Sequence, residues 1–361
     1  MFAPEHYVPV LRWKRGEQVA LAWLEPADRD AITPLIEIPP DDYLPDNPDA
    51  AVNLEQRLPR LTSALETARG SRRTFVDFGL LSDGVKTSAG HEPITEFFAL
   101  LEGGGTSAVP VTGLRRSAKY QAAARAIVRQ THELAIRLTL ADLRQSGLHN
   151  GISTLLSGCG LEPEEVHLLV DLELVGSFPP SFPYILGRVP TPSRWLTFTV
   201  VAGSFPTNLS HLPVGMHLIP RLEWRHWRDQ ASMIGTLPRL PTFGDYTTQH
   251  AIYQVPPPGA NVSASARYSS DEDWLVMRGE GLRSKGSPGY AQYPAIAALL
   301  CEQKEYRGPD FSSGDHYIWQ IASPEAGATG NPETWLRAGI NHHLVTVIRQ
   351  LAGIGAGTSA S

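Results

Sequence analysis

Leu240-Pro-Thr-Phe-Gly-Asp-Tyr-Thr-Thr-Gln-His250 is an apolar run that stops abruptly. Leu240 to Phe243 reads as a buried strand. Gly244, Asp245 and Tyr246 release polar side chains at its end, and Thr247, Thr248 and His250 follow. The same form, an apolar run ending in a carboxylate or an arginine, recurs upstream. One such ending is uninformative. A series of them predicts parallel strands whose carboxyl ends gather around a polar site.

Working back from that stretch gives seven earlier strands. They are Tyr7-Val-Pro-Val-Leu11, Ile32 to Ile38, Thr74 to Phe78, Ala108 to Thr112, Glu133 to Leu140, Val166 to Leu174 and Trp195 to Val201. Pro34 forfeits a ladder donor, so the second strand is expected to begin after it. Helical patterns alternate with these runs over Gln18 to Leu24, Asn53 to Arg69, Pro93 to Leu101, Ser117 to Thr131, Leu148 to Leu156 and Arg225 to Ile234. Ile219 to Trp224 reads as a loop leading into the last of these. Eight strands in βα alternation predict a (β/α)₈, TIM-barrel-like α/β fold over residues 1–252, with a doubly wound open parallel sheet as the alternative.

Past Tyr253 the alternation breaks. Pro256-Pro-Pro-Gly259 reads as a linker. Ala264 to Tyr268 and Asp273 to Arg278 read as an antiparallel hairpin, and Ala291 to Tyr306 and Pro332 to Leu351 as helices around a Gly/Ser/Asp-rich loop near Gly314. Residues 253–352 are therefore expected to form a C-terminal α+β elaboration on the barrel, and residues 353–361, rich in Gly, Ala and Ser, a disordered tail.

Composition narrows the function classes. The 361 residues are 42% hydrophobic and 19% charged, which is globular rather than disordered. A net charge of −6 argues against a general basic nucleic-acid surface. No apolar run approaches the roughly 20 residues of a membrane span. The N-terminus lacks the basic region and apolar core of a signal peptide. With two cysteines, Cys159 and Cys301, a reducing cytoplasmic setting is the simplest expectation. No zinc, P-loop, Rossmann or Gly-x-Ser-x-Gly signature is present.

Three groups of side chains carry potential chemistry. Glu37, Asp77, Asp171, Glu173, Glu223 and Asp245 fall at or just beyond strand ends. Gathered on one rim they suit Mg²⁺ or Mn²⁺, which prefer oxygen ligands, or a general acid and base with separated pKa values. Lys14, Arg137, Arg221, Arg267 and Arg278 suit a phosphate or carboxylate, and equally suit salt bridges to those same acids. His250, four residues past the Gly-Asp-Tyr turn's Tyr246, is the best placed histidine. His342 and His343 diverge on a helix, and His316 sits beside Asp315 in the Gly-rich loop.

Tyr7 to Glu17, Ile32 to Glu37, Ile219 to Trp224, Phe243 to Tyr246 and Asn341-His-His343 together resemble the beta protein family of T4-like phages, bacteria and mobile elements. The resemblance implies a phage- or anti-phage-defence context. It implies no activity, and no catalytic residue is carried over from it. From the residues themselves, the expectation is a hydrolase-type enzyme acting on a phosphate-containing substrate, a nucleotide or nucleic-acid end. Asp245, Glu37, Asp77, Asp171 and His250 would do the chemistry, and Lys14, Arg221, Glu223, Arg267 and Arg278 would hold the substrate. The alternative is a non-enzymatic protein that binds a partner encoded nearby or a small signal, and a third reading makes the rim charges purely structural.

Overall fold

Short βα units run from residue 7 to residue 245. In the computed structural model, which describes residues 2–3, 5–40, 50–232, 235, 237–254, 260–323 and 327–358, β1 (Tyr7–Arg12) leads through α1 (Arg15–Ala22) and α2 (Pro26–Asp30) to β2 (Leu35–Glu37). α3 (Ala50–Arg69), β3 (Thr74–Asp77), α4 (Pro93–Leu101), β4 (Ala108–Thr112), α5 (Ala118–Thr131) and β5 (Leu134–Thr139) follow. The chain continues through α6 (Leu140–Leu143), α7 (Leu148–Cys159), β6 (Val166–Leu174), α8 (Phe182–Arg188) and β7 (Thr197–Gly203). Next come β8 (Gly215–Pro220), α9 (Leu222–Ala231) and β9 (Thr242–Asp245). Local signals set several ends: the Ser117 hydroxyl accepts from Tyr120 N–H to start α5, and Gly160, at φ 68°, closes α7.

The eight strands β1 to β7 and β9 close into one all-parallel barrel, because β9 pairs with both β7 and β1. Closure rules out the open doubly wound sheet. Strand β2 begins at Leu35, directly after Pro34, as expected. Successive side chains alternate between the barrel interior and the helical layer. Val8, Val10, Leu35, Phe75, Val109, Val111, Ala135, Leu169 and Val201 form the interior cluster. Tyr7, Leu11, Ile36, Val76, Ile136, Leu168, Val200 and Phe243 pack outward in the larger core with the helices.

The C-terminal part is a second small core. β10 (Ser263–Ser269) and β11 (Asp273–Gly281) form the expected hairpin. α10 (Tyr293–Cys301), α11 (Ser313–Ala322) and α12 (Pro332–Thr358) pack with it around Tyr268, Leu275, Met277, Leu300 and Trp335. Three local expectations change, and one strand has no counterpart among the expected elements. Gly215–Pro220 is a strand that pairs antiparallel with β11 as an edge strand, a position that tolerates Pro220. The expected loop Ile219 to Trp224 is therefore a strand end followed by a helix. The stretch around Gly314 is helix α11, started by the Ser312 hydroxyl accepting from Asp315 N–H. Helix α12 continues past Gly353 through Thr358, where a disordered tail was expected. The expected linker Pro256 to Gly259 lies outside the described residues, as do residues 359–361.

Strand β8, from the barrel half of the chain, joins the sheet of the C-terminal part. That part rests on its own barrel. Asn341 Nδ2 donates to Ala20 O at 3.0 Å, and Arg349 reaches Asp28 at 2.6 Å.

Gly244 illustrates how tightly the barrel interior is filled. A Cβ there would sit 2.8 Å from the Val8 carbonyl oxygen and 2.9 Å from Val201 Cγ2. Gly244→Ala should therefore destabilise the protein by about 1–3 kcal/mol through overpacking. Urea denaturation midpoints check this, and an unchanged midpoint would contradict it.

Candidate functional site at the barrel mouth

Strand alternation decides which side chains reach the mouth. Val10, Leu35, Phe75, Ala135 and Leu169 point inward, so Arg12, Glu37, Asp77, Arg137 and Asp171, two residues further on, point inward at the carboxyl ends. Tyr246, just past β9, joins them. Glu37, Arg137, Asp171 and Tyr246 line a cavity of about 430 Å³ together with Arg115, Arg116, Glu173 and Tyr253, while Asp77 and Arg12 are joined to its wall through Arg137 and Glu37.

Arg137 is the hub. Its Nη1 donates to Glu37 Oε1 at 2.7 Å and Asp77 Oδ2 at 2.8 Å, and its Nε donates to Asp171 Oδ2 at 2.9 Å. Tyr246 OH donates to the same Asp171 oxygen at 2.5 Å. Arg116 Nη2 holds Asp77 from the other side at 2.8 Å, and Arg115 Nε donates to Asp142 at 2.8 Å. Gly79 leaves room for the Arg116 guanidinium, which would collide with any Cβ there. Arg12 lies 3.7 Å from Glu37, and its Nη2 ties down the β9 loop by donating to the carbonyls of His250 and Ala251 at 2.6 and 2.8 Å.

Burial opposes the Arg137 charge, but the surrounding Tyr246, Asp171, Glu37 and Asp77 more than offset it, so the guanidinium stays charged. Burial likewise opposes ionisation of Asp77, yet Arg116 and Arg137 hold its carboxyl below the usual range. Glu173 differs. Burial and the adjacent Asp171 raise its pKa, and its carboxylate has no hydrogen-bond or ion-pair partner among the described residues. It stands where β6 bulges, at a left-handed φ of 55°, with its N–H donating to Asp171 Oδ1 at 2.8 Å. A non-glycine residue held there carries backbone strain of the kind that collects at functional sites.

Asp245 does not share this cavity. It faces outward like Phe243, into a second buried network beneath the C-terminal part. Its carboxylate accepts from Tyr7 OH at 2.5 Å and from Thr247 N–H at 2.9 Å, and lies 2.9 Å from His343 Nε2; His343 Nδ1 lies 2.7 Å from Ser269 Oγ. Burial keeps the His343 imidazole neutral, so Nε2–H donates to Asp245 and Nδ1 accepts from the Ser269 hydroxyl. The order Ser, His, Asp is that of a hydrolytic triad. Here Ser269 is fully buried and Trp274 stacks on the imidazole at 5.0 Å, so the three residues join α12 and β10 to the barrel instead.

Arg221 and Glu223 belong to the same interface. Arg221 is fully buried, donates to Ser270 O at 3.0 Å and lies under Trp274 and Trp224; Glu223 accepts from Ser204. Arg267 donates to Thr248 O at 2.8 Å and covers the Phe205 ring. Arg278, on β11, borders a different cavity beside Val214 and Met216. His250 points to Thr207 and Ile252 rather than into the mouth. His342 pairs with Asp315, and His316 lies on the exposed face of α11, not in a loop. Lys14 does reach the rim, 5.3 Å from the Tyr253 ring. The structure thus brings together Glu37, Asp77, Asp171 and Lys14, and separates Asp245, His250, Arg221, Glu223, Arg267 and Arg278 from them. Arg12, Arg116, Tyr246 and Tyr253 were absent from the sequence-derived site. Counting by two from the apolar interior positions finds Arg12, and also finds Tyr246 in place of Asp245. Among the described residues no group of three His, Cys, Asp or Glu side chains is placed to hold a metal ion. The mouth carboxylates converge on Arg137.

A profile for the family described as Beta protein matches residues 7–349. No curated protein sequence matches the chain.

Two outcomes test this geometry. Arg137→Ala removes the shared partner of three buried carboxylates and should cost about 3–5 kcal/mol of unfolding free energy; a change under about 1 kcal/mol would show that the carboxylates find other partners. Glu17, buried in α1 and bonded by Gln249 Nε2, has its pKa raised by burial from 4.5 to about 7. The native state therefore binds the extra proton, and this stability is present below pH 4.5 and lost as pH rises to about 7. Glu17→Gln should lack that loss, on the order of 3 kcal/mol, seen by comparing the pH dependence of unfolding free energy in the two proteins. Parallel curves would refute it.

Proposed function

The chain belongs to the Beta protein family, and we propose that its barrel mouth binds and hydrolyses a small phosphate ester. The observation that carries this reading is the isolation of Glu173. Glu37, Asp77, Asp142 and Asp171 are neutralised by arginines, while Glu173 stands unpaired on the same rim with a raised pKa. A carboxyl so placed, with no arginine partner of its own, is the one on this rim positioned to give a proton to a leaving oxygen. Arg115 and Arg116 lie in the β4–α5 loop, directly before the helix cap Ser117. Arginine forks beside a helix N-terminus suit a phosphate. In the reaction, water adds to phosphorus and the ester P–O bond breaks. The Glu173 proton passes to the departing oxygen, and solvent restores it. The arginines stabilise the charge that builds on the phosphoryl oxygens. The position of the cavity, at the carboxyl ends of barrel strands, is where such enzymes carry their sites.

The C-terminal sheet favours a second reading. Its edge strand β8 exposes Met216 and Leu218, and Met216 lines a cavity of about 310 Å³ together with Val214 and Leu299. An apolar edge of this kind suits a protein partner, in keeping with a phage- or defence-associated role in the cytoplasm.

A panel of phosphate esters tests the first reading. Glu173→Gln should lower kcat about 10²–10⁴-fold with little change in binding, and Arg115→Ala should raise KM. Full activity in Glu173→Gln would refute the assignment. A wild-type protein that turns over no ester, and loses a partner on Met216→Asp, would shift the assignment to the second reading.

A further inference from the structure

Behind the strand ends that form the mouth lies a second cavity of about 360 Å³. The two share one wall. Asp171 and Glu173 line the mouth, and the residues that alternate with them, Leu172 and Leu174, line the outer cavity. Glu173 is on the crest between the two. The outer cavity is lined also by Leu140, Val175, Tyr184, Phe178 and Arg144. Phe178 is 98% exposed in a loop held by Pro179 and Pro180, and Leu174 and Tyr184 are also exposed. The exposed Arg144 side chain has no hydrogen bond or ion pair among the described residues, its backbone N–H alone bonding Asp142 O. A large aromatic ring left in water at the edge of a cavity lined mostly by apolar residues has a physical use when a flat group completes it.

We infer that this outer cavity is a base subsite, and that the ligand of the mouth is a nucleotide lying across the Glu173 crest. The inference rests on the phosphate reading of the mouth. A nucleotide has the two chemistries in the right order: an anionic end for Arg115 and Arg116, and a flat, apolar-faced ring carrying hydrogen-bond acceptors. The ring stacks on Phe178 with Leu174 and Tyr184 at its sides, and the Arg144 guanidinium donates to its ring nitrogens or carbonyls. A sugar-phosphate alone fills only the mouth. The crest then sets Glu173 against the ester oxygen that joins sugar to phosphorus, the atom that needs the proton.

Titration of the full chain by calorimetry with inorganic phosphate, ribose 5-phosphate and the four nucleoside monophosphates tests this. In the wild type at least one nucleotide should bind more tightly than ribose 5-phosphate. Phe178→Ala, at a fully exposed position that folding does not need, should weaken that nucleotide about 5- to 150-fold, leave ribose 5-phosphate unchanged, and be rescued by Phe178→Tyr. Equal binding of ribose 5-phosphate and every nucleotide, or an unchanged nucleotide affinity in Phe178→Ala, would overturn the base subsite while leaving the phosphate site standing. Binding of none of these compounds, inorganic phosphate included, would overturn both.

Discussion

A buried guanidinium keeps its charge only if negative groups replace the water it has lost, and the barrel mouth is built around that requirement. Arg137 projects from β5 into the space where Glu37, Asp77 and Asp171 project from β2, β3 and β6. β2 and β3 are paired neighbours, as are β5 and β6, so the network ties one side of the barrel to the other across β4. Each partner is costly to bury alone and tolerable only with the others. The strand ends are thereby fixed, and with them the cavity they enclose. The same neutralisation makes Glu173 distinct: it is a rim carboxylate that no arginine has taken among the described residues.

A second polar network does a different job one residue away. Asp245 and Tyr246 are adjacent, yet the strand turns them to opposite faces. Tyr246 closes the mouth beside Asp171, while Asp245 meets Tyr7, His343 and, through the imidazole, Ser269. The contacts between Asp245, His343 and Ser269 would mark a nucleophile if they were reached by solvent. Buried under Trp274, they attach α12 and β10 to the barrel. The C-terminal part is thus coupled to the β9 end that also shapes the mouth, and Arg12 and Arg267 add to this by bonding the carbonyls of residues 248, 250 and 251.

The division of labour between the two networks explains why carboxylates of similar sequence context have unlike fates. Asp171 and Asp245 both end apolar runs. One is held by an arginine inside the barrel, the other by a histidine outside it. Alternation along the strand, with period two, sets the face, and the element packed on that face sets the partner.

Much of the fold was legible in the sequence. Apolar runs punctuated by glycine and proline fixed eight strands in βα order, and Glu37, Asp77 and Asp171 were recognisable as strand-end acids, because burial and chain direction leave a local trace. Strand β8 left little, since an edge strand needs no continuous apolar run, and helix α11 was hidden in a Gly/Ser/Asp-rich stretch whose Ser312 cap acts only once the helix has formed. The sequence also could not say that Asp245, Arg221 and Glu223 belong to an interface while Arg137 and Glu173 belong to a mouth. That sorting depends on which residue of each pair points inward, on barrel closure bringing β1 beside β9, and on α12 returning to cover β9. These are contacts between residues up to hundreds of positions apart, and composition and local periodicity carry no record of them.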